Sequence, residues 1–100
     1  MPTLRSHLFI TIQAAERCPG MVQTLELSGG LRIDLKYLPG VGYKIAASRP
    51  KPKQPSLTEL ATIAADLPAW IETTVWTQKE NGKGRVFYTC TGSRKMPKGV

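Results

Sequence analysis

The chain has 100 residues, of which 41% are hydrophobic and 21% are charged, enough for one hydrophobic core and too few for two. These fractions exclude a wholly disordered or fibrous protein, and the apolar runs are far shorter than the about 20 residues that cross a bilayer. The first residues also lack the apolar stretch and cleavage site of a secretory signal. We therefore expect a single domain over residues 1–92 with a flexible basic tail over 93–100, located in the cytoplasm.

The formal charge of +7 is concentrated in two segments. Residues 49–55 contain three cations and no acid, and residues 79–98 contain six cations and one acid, Glu80. Clustered cations raise the local potential and favour an anionic partner, whereas a basic surface that only keeps the protein soluble is the alternative interpretation.

Apolar and polar residues alternate over residues 4–14, with Leu8, Ile10 and Ile12 separated by polar or aromatic side chains. A period of two predicts a strand with one face in water, on which His7 would lie. Pro19 and Gly20 then predict a loop.

The next segment predicts a hairpin around the Ser-Gly-Gly turn at 28–30. A three-residue loop places Leu27 opposite Leu31 and Leu25 opposite Ile33, which keeps the apolar side chains on one face. A two-residue loop would put apolar residues on both faces. We therefore expect the three-residue loop, with a glycine in the left-handed conformation.

Pro39 and Gly40 suit a type II turn that leads into a further strand. Matching the apolar faces then pairs Tyr37 with Tyr43. The same register sets Lys36 opposite Lys44 on the outer face, where like charges repel. This pair favours a sheet surface that faces an anion, and two lysines that splay apart in water are the alternative.

Three prolines follow in the sequence SRPKPKQPS, at positions 50, 52 and 55. Each fixes φ and removes a backbone donor, which argues against a helix or a central strand. Residues 49–55 are therefore predicted to be an extended basic arm.

Ser56 and Glu59 form a capping-box pattern, and the apolar residues that follow recur at helical spacing. Pro68 would clash with the carbonyl of Ala64 inside a straight helix, so the helix should end or kink near Leu67. Its apolar side is expected to cover the sheet.

Asn81 and Gly82 indicate a final two-residue hairpin turn. With these residues at the tip, Trp76 faces Phe87 across the strands. The predicted fold is thus α+β, an antiparallel sheet in the order β-β-β-β-α-β-β with one amphipathic helix packed on one face.

Catalytic and metal sites lack a sequence signature. Cys18 and Cys90 are far apart, and with His7 they fall short of the about four ligands of a zinc site; whether the cysteines pair is left open. His7 is the only histidine, and a metal-independent ribonuclease built from Arg, Lys and Tyr is the one enzymatic alternative. We expect no enzyme activity, no cofactor and no metal.

Rings beside cations are the combination that single-stranded nucleic-acid sites use, because bases stack on the rings while cations contact phosphates. The sequence therefore predicts a small binding protein for single-stranded DNA or RNA, acting through the arm, the last hairpin and the tail. The alternative is a protein-binding inhibitor or adaptor of the kind that phages and mobile elements encode, docking on a nucleoprotein or an acidic protein; a homodimer stays open, and a membrane partner is not expected. The candidate binding residues are Arg49, Lys51, Lys53, Trp76, Lys79, Lys83, Arg85, Phe87, Arg94, Lys95 and Lys98.

Overall fold

A computed structural model describes residues 3–80 and 84–94 and contains two helices and a six-stranded antiparallel sheet. The elements in chain order are α1 (Leu4–Arg17), β1 (Gln23–Glu26), β2 (Arg32–Leu38), β3 (Gly42–Pro50), α2 (Leu57–Asp66), β4 (Ile71–Thr73), β5 (Thr77–Glu80) and β6 (Arg85–Arg94). The α+β class with an antiparallel sheet is confirmed. Neither of the helices in the described part of the chain is long and apolar enough to cross a membrane.

The first element is a helix, so the strand predicted over residues 4–14 is wrong. Leu8, Ile12 and Ala15 are fully buried and recur at helical spacing, whereas Ile10 is 62% exposed. The side chain of Thr3 caps the helix by accepting a hydrogen bond from the backbone N–H of Ser6. Residues spaced by four fit both the period of two of a strand and the period of 3.6 of a helix, so the sequence pattern alone does not distinguish the two. The element order is therefore α-β-β-β-α-β-β-β.

Strands β1 and β2 pair in the predicted register. Leu25 lies opposite Ile33, and the backbone N–H of Leu27 donates to the carbonyl of Leu31 at 2.8 Å. Gly29 in the connecting turn has φ +74°, the left-handed conformation that the three-residue loop requires.

Strands β2 and β3 also pair as predicted. Tyr37 lies opposite Tyr43, and Lys36 lies opposite Lys44. Gly40 has φ +78°, and the N–H of Val41 donates to the carbonyl of Leu38, as in a type II turn.

The last hairpin has a different register from the predicted one. Lys79, rather than Trp76, lies opposite Phe87. The described part of the connection includes Gly84, which has φ +81° and immediately precedes β6; a longer connection shifts every pair. The predicted turn residues, Asn81 and Gly82, lie outside the described residues.

The sheet order is β1-β2-β3-β6-β4, and β5 also pairs with β6. β4 pairs with residues 92–94 of β6 and β5 with residues 86–89, so both lie on the edge of β6 that β3 leaves free. Thr74 connects the two segments through its backbone N–H, which donates to the carbonyl of Thr91.

Both helices pack on one face of the sheet. The buried core combines α1 and α2 with the inward residues of β2, β3 and β6, and it includes Leu8, Ile12, Ile33, Leu35, Ile45, Leu60, Ile63 and Cys90. The capping box of α2 is present as predicted, and the helix ends at Asp66, before Pro68. Within the described ranges, no element covers the opposite side of the sheet, which we call the open face.

Candidate functional site

The open face is arranged in cross-strand rows, since each register position places one residue per strand at the same level. Successive rows contain Lys36, Lys44 and Thr91; then Asp34, Ala46, Thr89 and Thr77; then Arg32, Ser48, Phe87 and Lys79; then Pro50 and Arg85. Alternation along each strand directs all of these side chains away from the helices.

A depression of about 450 Å³ lies in this face, and Lys36, Lys44 and Lys79 all line it. Its central row includes Ala46, whose short side chain leaves room above the backbone, and Thr89 beside it. Further hydroxyl groups come from Thr74, Thr77 and Thr91. The depression therefore presents ammonium and hydroxyl groups, which donate hydrogen bonds to anionic oxygens.

The positive charge of this depression is only weakly compensated. Lys36 and Lys44 lie directly opposite each other, and neither forms an ion pair with a carboxylate of the described residues. The acid in the lining, Asp34, accepts a hydrogen bond from the hydroxyl of Thr24 at 2.8 Å and lies 3.3 Å from Nε of Arg32. Two lysines that lie directly opposite each other repel, and such a pair destabilises the sheet.

Arg85 extends the basic surface at the next level of the sheet. Its guanidinium donates to Oγ of Ser48 at 3.0 Å and to the carbonyls of Ser48 and Gly30 at 3.2 and 2.9 Å. All three acceptors are neutral, so these bonds fix the position of the guanidinium without cancelling its charge.

Phe87 supplies the aromatic ring of the open face. It lies between Ser48 and Lys79 across the strands and two residues from Arg85 along β6, and its side chain is half-buried. The structure therefore brings together three of the predicted site residues, Lys79, Arg85 and Phe87.

The arm adjoins this end of the sheet. The backbone N–H of Lys51 donates to the carbonyl of Gly84 at 2.8 Å, and the side chains of Lys51 and Lys53 are exposed. This bond connects the arm to the residue that precedes β6. The two basic segments of the sequence thus meet at one end of the sheet.

Arg49 and Pro50 are the last residues of β3, so the predicted basic arm over residues 49–55 begins inside the sheet. The sequence had excluded a helix and a central strand here, and β3 is not central at these two positions. They pair with Val86 and Arg85 of β6. The pairing of β3 with β2 stops at Ser48. Beyond Ser48, β3 has a partner on one side only, where a proline that lacks a donor is tolerated.

Arg49 lies on the helix side of the sheet, away from the open face. Its guanidinium pairs with the carboxylate of Glu59 and donates to the carbonyl of Gly29, and its side chain is 14% exposed. The hydrogen bond from Arg49, together with the bond from the backbone of Ser56, lowers the pKa of Glu59. Arg49 therefore holds the first turn of α2 to the sheet.

Arg94 and Trp76 are also separated from the open face. Arg94 donates to Glu16 at 3.0 Å and lies 4.7 Å from the ring centroid of Trp70. Nε1 of Trp76 donates to the carbonyl of Leu60 in α2 at 3.1 Å. Both residues thus connect β-strand segments to the helical layer.

Glu16 joins Arg94 to a buried aromatic group. It accepts hydrogen bonds from the hydroxyl of Tyr43 and from Arg94. Burial raises the pKa of the carboxyl, but these two bonds outweigh it, and the pKa lies below its ordinary value. Burial and the bond to Glu16 raise the pKa of Tyr43 to about 12. The cluster connects the end of α1 to β3 and β6.

Lys83, Lys95 and Lys98, three further predicted site residues, lie outside the described residues. The residues predicted for the site did not include Lys36 and Lys44, which the structure places in the depression with Lys79. The signal for them was the like-charge pair that the predicted register had already placed on the outer face.

Groups for catalysis or metal binding are sparse in the described chain. Residues 3–80 and 84–94 contain no cluster of three or more His, Cys, Asp or Glu side chains that could hold a metal ion. His7 lies on α1 rather than on a strand. Cys18 is exposed and Cys90 is buried, and both thiols are free.

Among the described residues, this arrangement thus offers a basic, uncovered sheet surface with one half-buried ring and several hydroxyl groups. Comparison of the chain with protein-family models, with curated proteins and with solved structures gave no match.

Proposed function

We propose that this protein binds single-stranded nucleic acid on the open face of its sheet and is not an enzyme. The single observation that carries the proposal is the convergence of Lys36, Lys44 and Lys79 on one depression whose only lining acid, within the described residues, is already engaged by Arg32 and Thr24. Phosphates give such a surface the counter-charge that the protein does not supply.

The proposed contacts divide into two kinds. The lysines and Arg85 contact phosphates, and release of counter-ions from the strand drives that part of the binding. Phe87 offers a ring against which a base stacks without regard to sequence. A duplex presents its bases edge-on, inside the helix, so only an unpaired strand uses both kinds of contact.

A charge placed on the floor of the depression tests this location. Ala46→Glu puts a carboxylate between the lysine pair and Phe87, and Ala65→Glu adds the same charge to an exposed position of α2, on the other layer of the molecule. We expect Ala46→Glu to weaken binding of a fluorescent oligothymidylate at least tenfold, and Ala65→Glu to change it less than twofold. Thermal unfolding of both variants checks that they are folded.

Salt dependence measures the phosphate contacts. If Lys36, Lys44, Lys51, Lys79 and Arg85 each neutralise one phosphate of a single strand, the log–log slope of affinity against salt is about −3.5. The double variant Lys36→Gln/Lys44→Gln should reduce its magnitude by about 1.4. Arg17→Gln, which removes one exposed cation at the end of α1, should leave the slope unchanged; a flat response in the wild type would overturn the proposal.

The alternative partner, an acidic protein surface, is tested in the same assay. Polyaspartate presents carboxylates without bases or a phosphate backbone. We expect an oligothymidylate of equal charge to displace it and to bind at least tenfold more tightly, because polyaspartate lacks the stacking contact. Equal affinities would favour the adaptor over the nucleic-acid binder.

A further inference from the structure

The cations of the open face extend along the strands over several levels. The Lys36–Lys44 pair lies at one level, and the levels of Phe87 and Arg85 lie four and six residues further along β3 and β6. At about 3.3 Å per residue, these separations are about 13 and 20 Å. Lys51 of the arm continues the same line, through its hydrogen bond to Gly84.

Each crosswise path offers fewer unpaired cations than the path along the strands. The level of the lysine pair continues across β6 into Thr91 and then Thr74, and exposed Glu72 lies one level further along, opposite Ser93. The next level begins at Asp34 and continues through Ala46 to Thr89, with no cation. A phosphate backbone laid across the strands would meet Lys36 and Lys44 and then only hydroxyl groups at the first level, and the carboxylate of Asp34 at the second. The level of Phe87 has Lys79 at one end, but the cation at its other end, Arg32, is paired with Asp34.

We infer that a single strand lies lengthwise along β3 and β6, with phosphates at the Lys36–Lys44 pair and at Lys79, Arg85 and Lys51, and with one base stacked on Phe87. This inference rests on the proposed function and adds an orientation and a length to it. Phosphates of a stacked strand lie about 3.4 Å apart along the axis, and in an extended strand the spacing is nearly double. A track of about 20 Å therefore holds about four to six nucleotides.

The floor of the track supports the same path. Between the lysine pair and Phe87, β3 contributes Ala46 and β6 contributes Thr89. Neither side chain rises far above the sheet, so a backbone passes between the two ends without obstruction. Ser48 is fully buried beneath Arg85 and does not block the far end.

A length series tests the path. Affinity for 5′-labelled oligothymidylates should rise as the length increases from three to six nucleotides and then level off. Longer oligonucleotides should gain only the small statistical increase that comes from having more positions at which the same site can bind. Lys36→Gln/Lys44→Gln should weaken binding of the hexamer about tenfold and of the trimer less than threefold, because a trimer can occupy the Phe87 end alone. Equal losses for both lengths would overturn the lengthwise path.

An abasic scan tests the stacked base. Removing one base at a time from the hexamer should weaken wild-type binding about tenfold at one position, as expected for loss of a stacking contact. In the Phe87→Leu variant, removal of no single base should weaken binding more than removal of the others. If the variant and the wild type give the same scan, the assignment of a stacked base to Phe87 is overturned. Oligouridylate should give the same results, since no contact in the argument uses the 2′-hydroxyl; a binding site that requires the hydroxyl would contradict it.

These outcomes separate the two proposals. If the oligonucleotides bind and Ala46→Glu weakens binding at least tenfold, but affinity does not depend on length in this way, the path is wrong and the proposed function stands. If Ala46→Glu and Ala65→Glu bind oligonucleotide as the wild type does, the open face is not the site and both proposals fail.

Discussion

Arg49 of β3 and Glu59 of α2 form an ion pair in which the arginine side chain is 14% exposed and the glutamate side chain 31% exposed. The same carboxylate accepts a hydrogen bond from the backbone N–H of Ser56, completing the capping box. One acid therefore closes the first turn of α2 and attaches it to the sheet. A cation that the sequence assigned to ligand binding has a structural role.

Glu59→Gln should reduce stability at neutral pH by about 1 kcal/mol, the range of a partly exposed pair whose capping amide is preserved. The folded-state pKa of Glu59 lies below the ordinary value of 4.5, so its contribution is complete above pH 4.5 and is lost as the pH falls through the lowered folded-state value. Urea unfolding at pH 7 and pH 3 should show the difference between variant and wild type shrinking at the lower pH. Glu72→Gln, at an exposed position of β4, is the matched control and should show no such difference.

The two cysteines should differ sharply in reactivity. Burial raises the pKa of the Cys90 thiol to about 11, which leaves almost no thiolate at pH 8 and shields the sulfur as well, whereas Cys18 is exposed. A thiol reagent should therefore modify one equivalent rapidly in the native protein and two after denaturation. Cys18→Ser should abolish the rapid phase; a rapid phase that survives this substitution would contradict the placement of Cys90.

Trp76→Phe should cost stability and spare ligand binding. The substitution keeps an aromatic ring but removes the Nε1–H that donates to Leu60, a loss of about 1 kcal/mol. Because Trp76 lies on the helix side, oligothymidylate affinity should stay within twofold of the wild type at a temperature where both are folded. A tenfold loss of affinity would place Trp76 at the ligand.

Two glycines, Gly40 in the β2–β3 turn and Gly42 at the start of β3, should respond differently to substitution by alanine. Gly40 has φ +78° with open space where a Cβ would lie, so Gly40→Ala should cost only the strain of a left-handed residue, about 1 kcal/mol. Gly42 has φ +125°, and its Cβ would lie 2.4 Å from the carbonyl oxygen of Gly92. Gly42→Ala should therefore cost about 3 kcal/mol or more, since strain and a backbone clash combine. Chemical denaturation of the pair measures the difference, and equal losses would contradict the close approach of β3 and β6.

The sequence was sufficient wherever a turn and its flanking pattern determine the structure locally. The Ser-Gly-Gly and Pro-Gly turns, with the apolar residues beside them, gave the registers of β1, β2 and β3. The capping box at Ser56 gave the start of α2. In each case the deciding residues lie within a few positions of one another.

Prediction failed where the deciding contact is distant or the pattern fits two periods. Leu8 and Ile12 fit a strand and a helix alike, and packing against the sheet selects the helix. Arg94 is neutralised by Glu16, which is 78 residues away in the sequence. Only the assembled fold separates such arginines from the lysines of the open face. A count of charges along the chain therefore overstated the unpaired positive charge of residues 49–55 and 79–98.

The interior position of β6 has a consequence for synthesis on the ribosome. Strand β3 is translated well before β6, and until residues 85–94 emerge, one whole edge of β3 lacks its hydrogen-bonding partner. The nascent β1–β3 unit therefore passes through a stage in which one edge of β3 has unpaired backbone groups that can pair with another chain. Proline and lysine both discourage wrong pairing at a strand edge, and this edge of β3 has Pro50 near one end and Lys44 near the other.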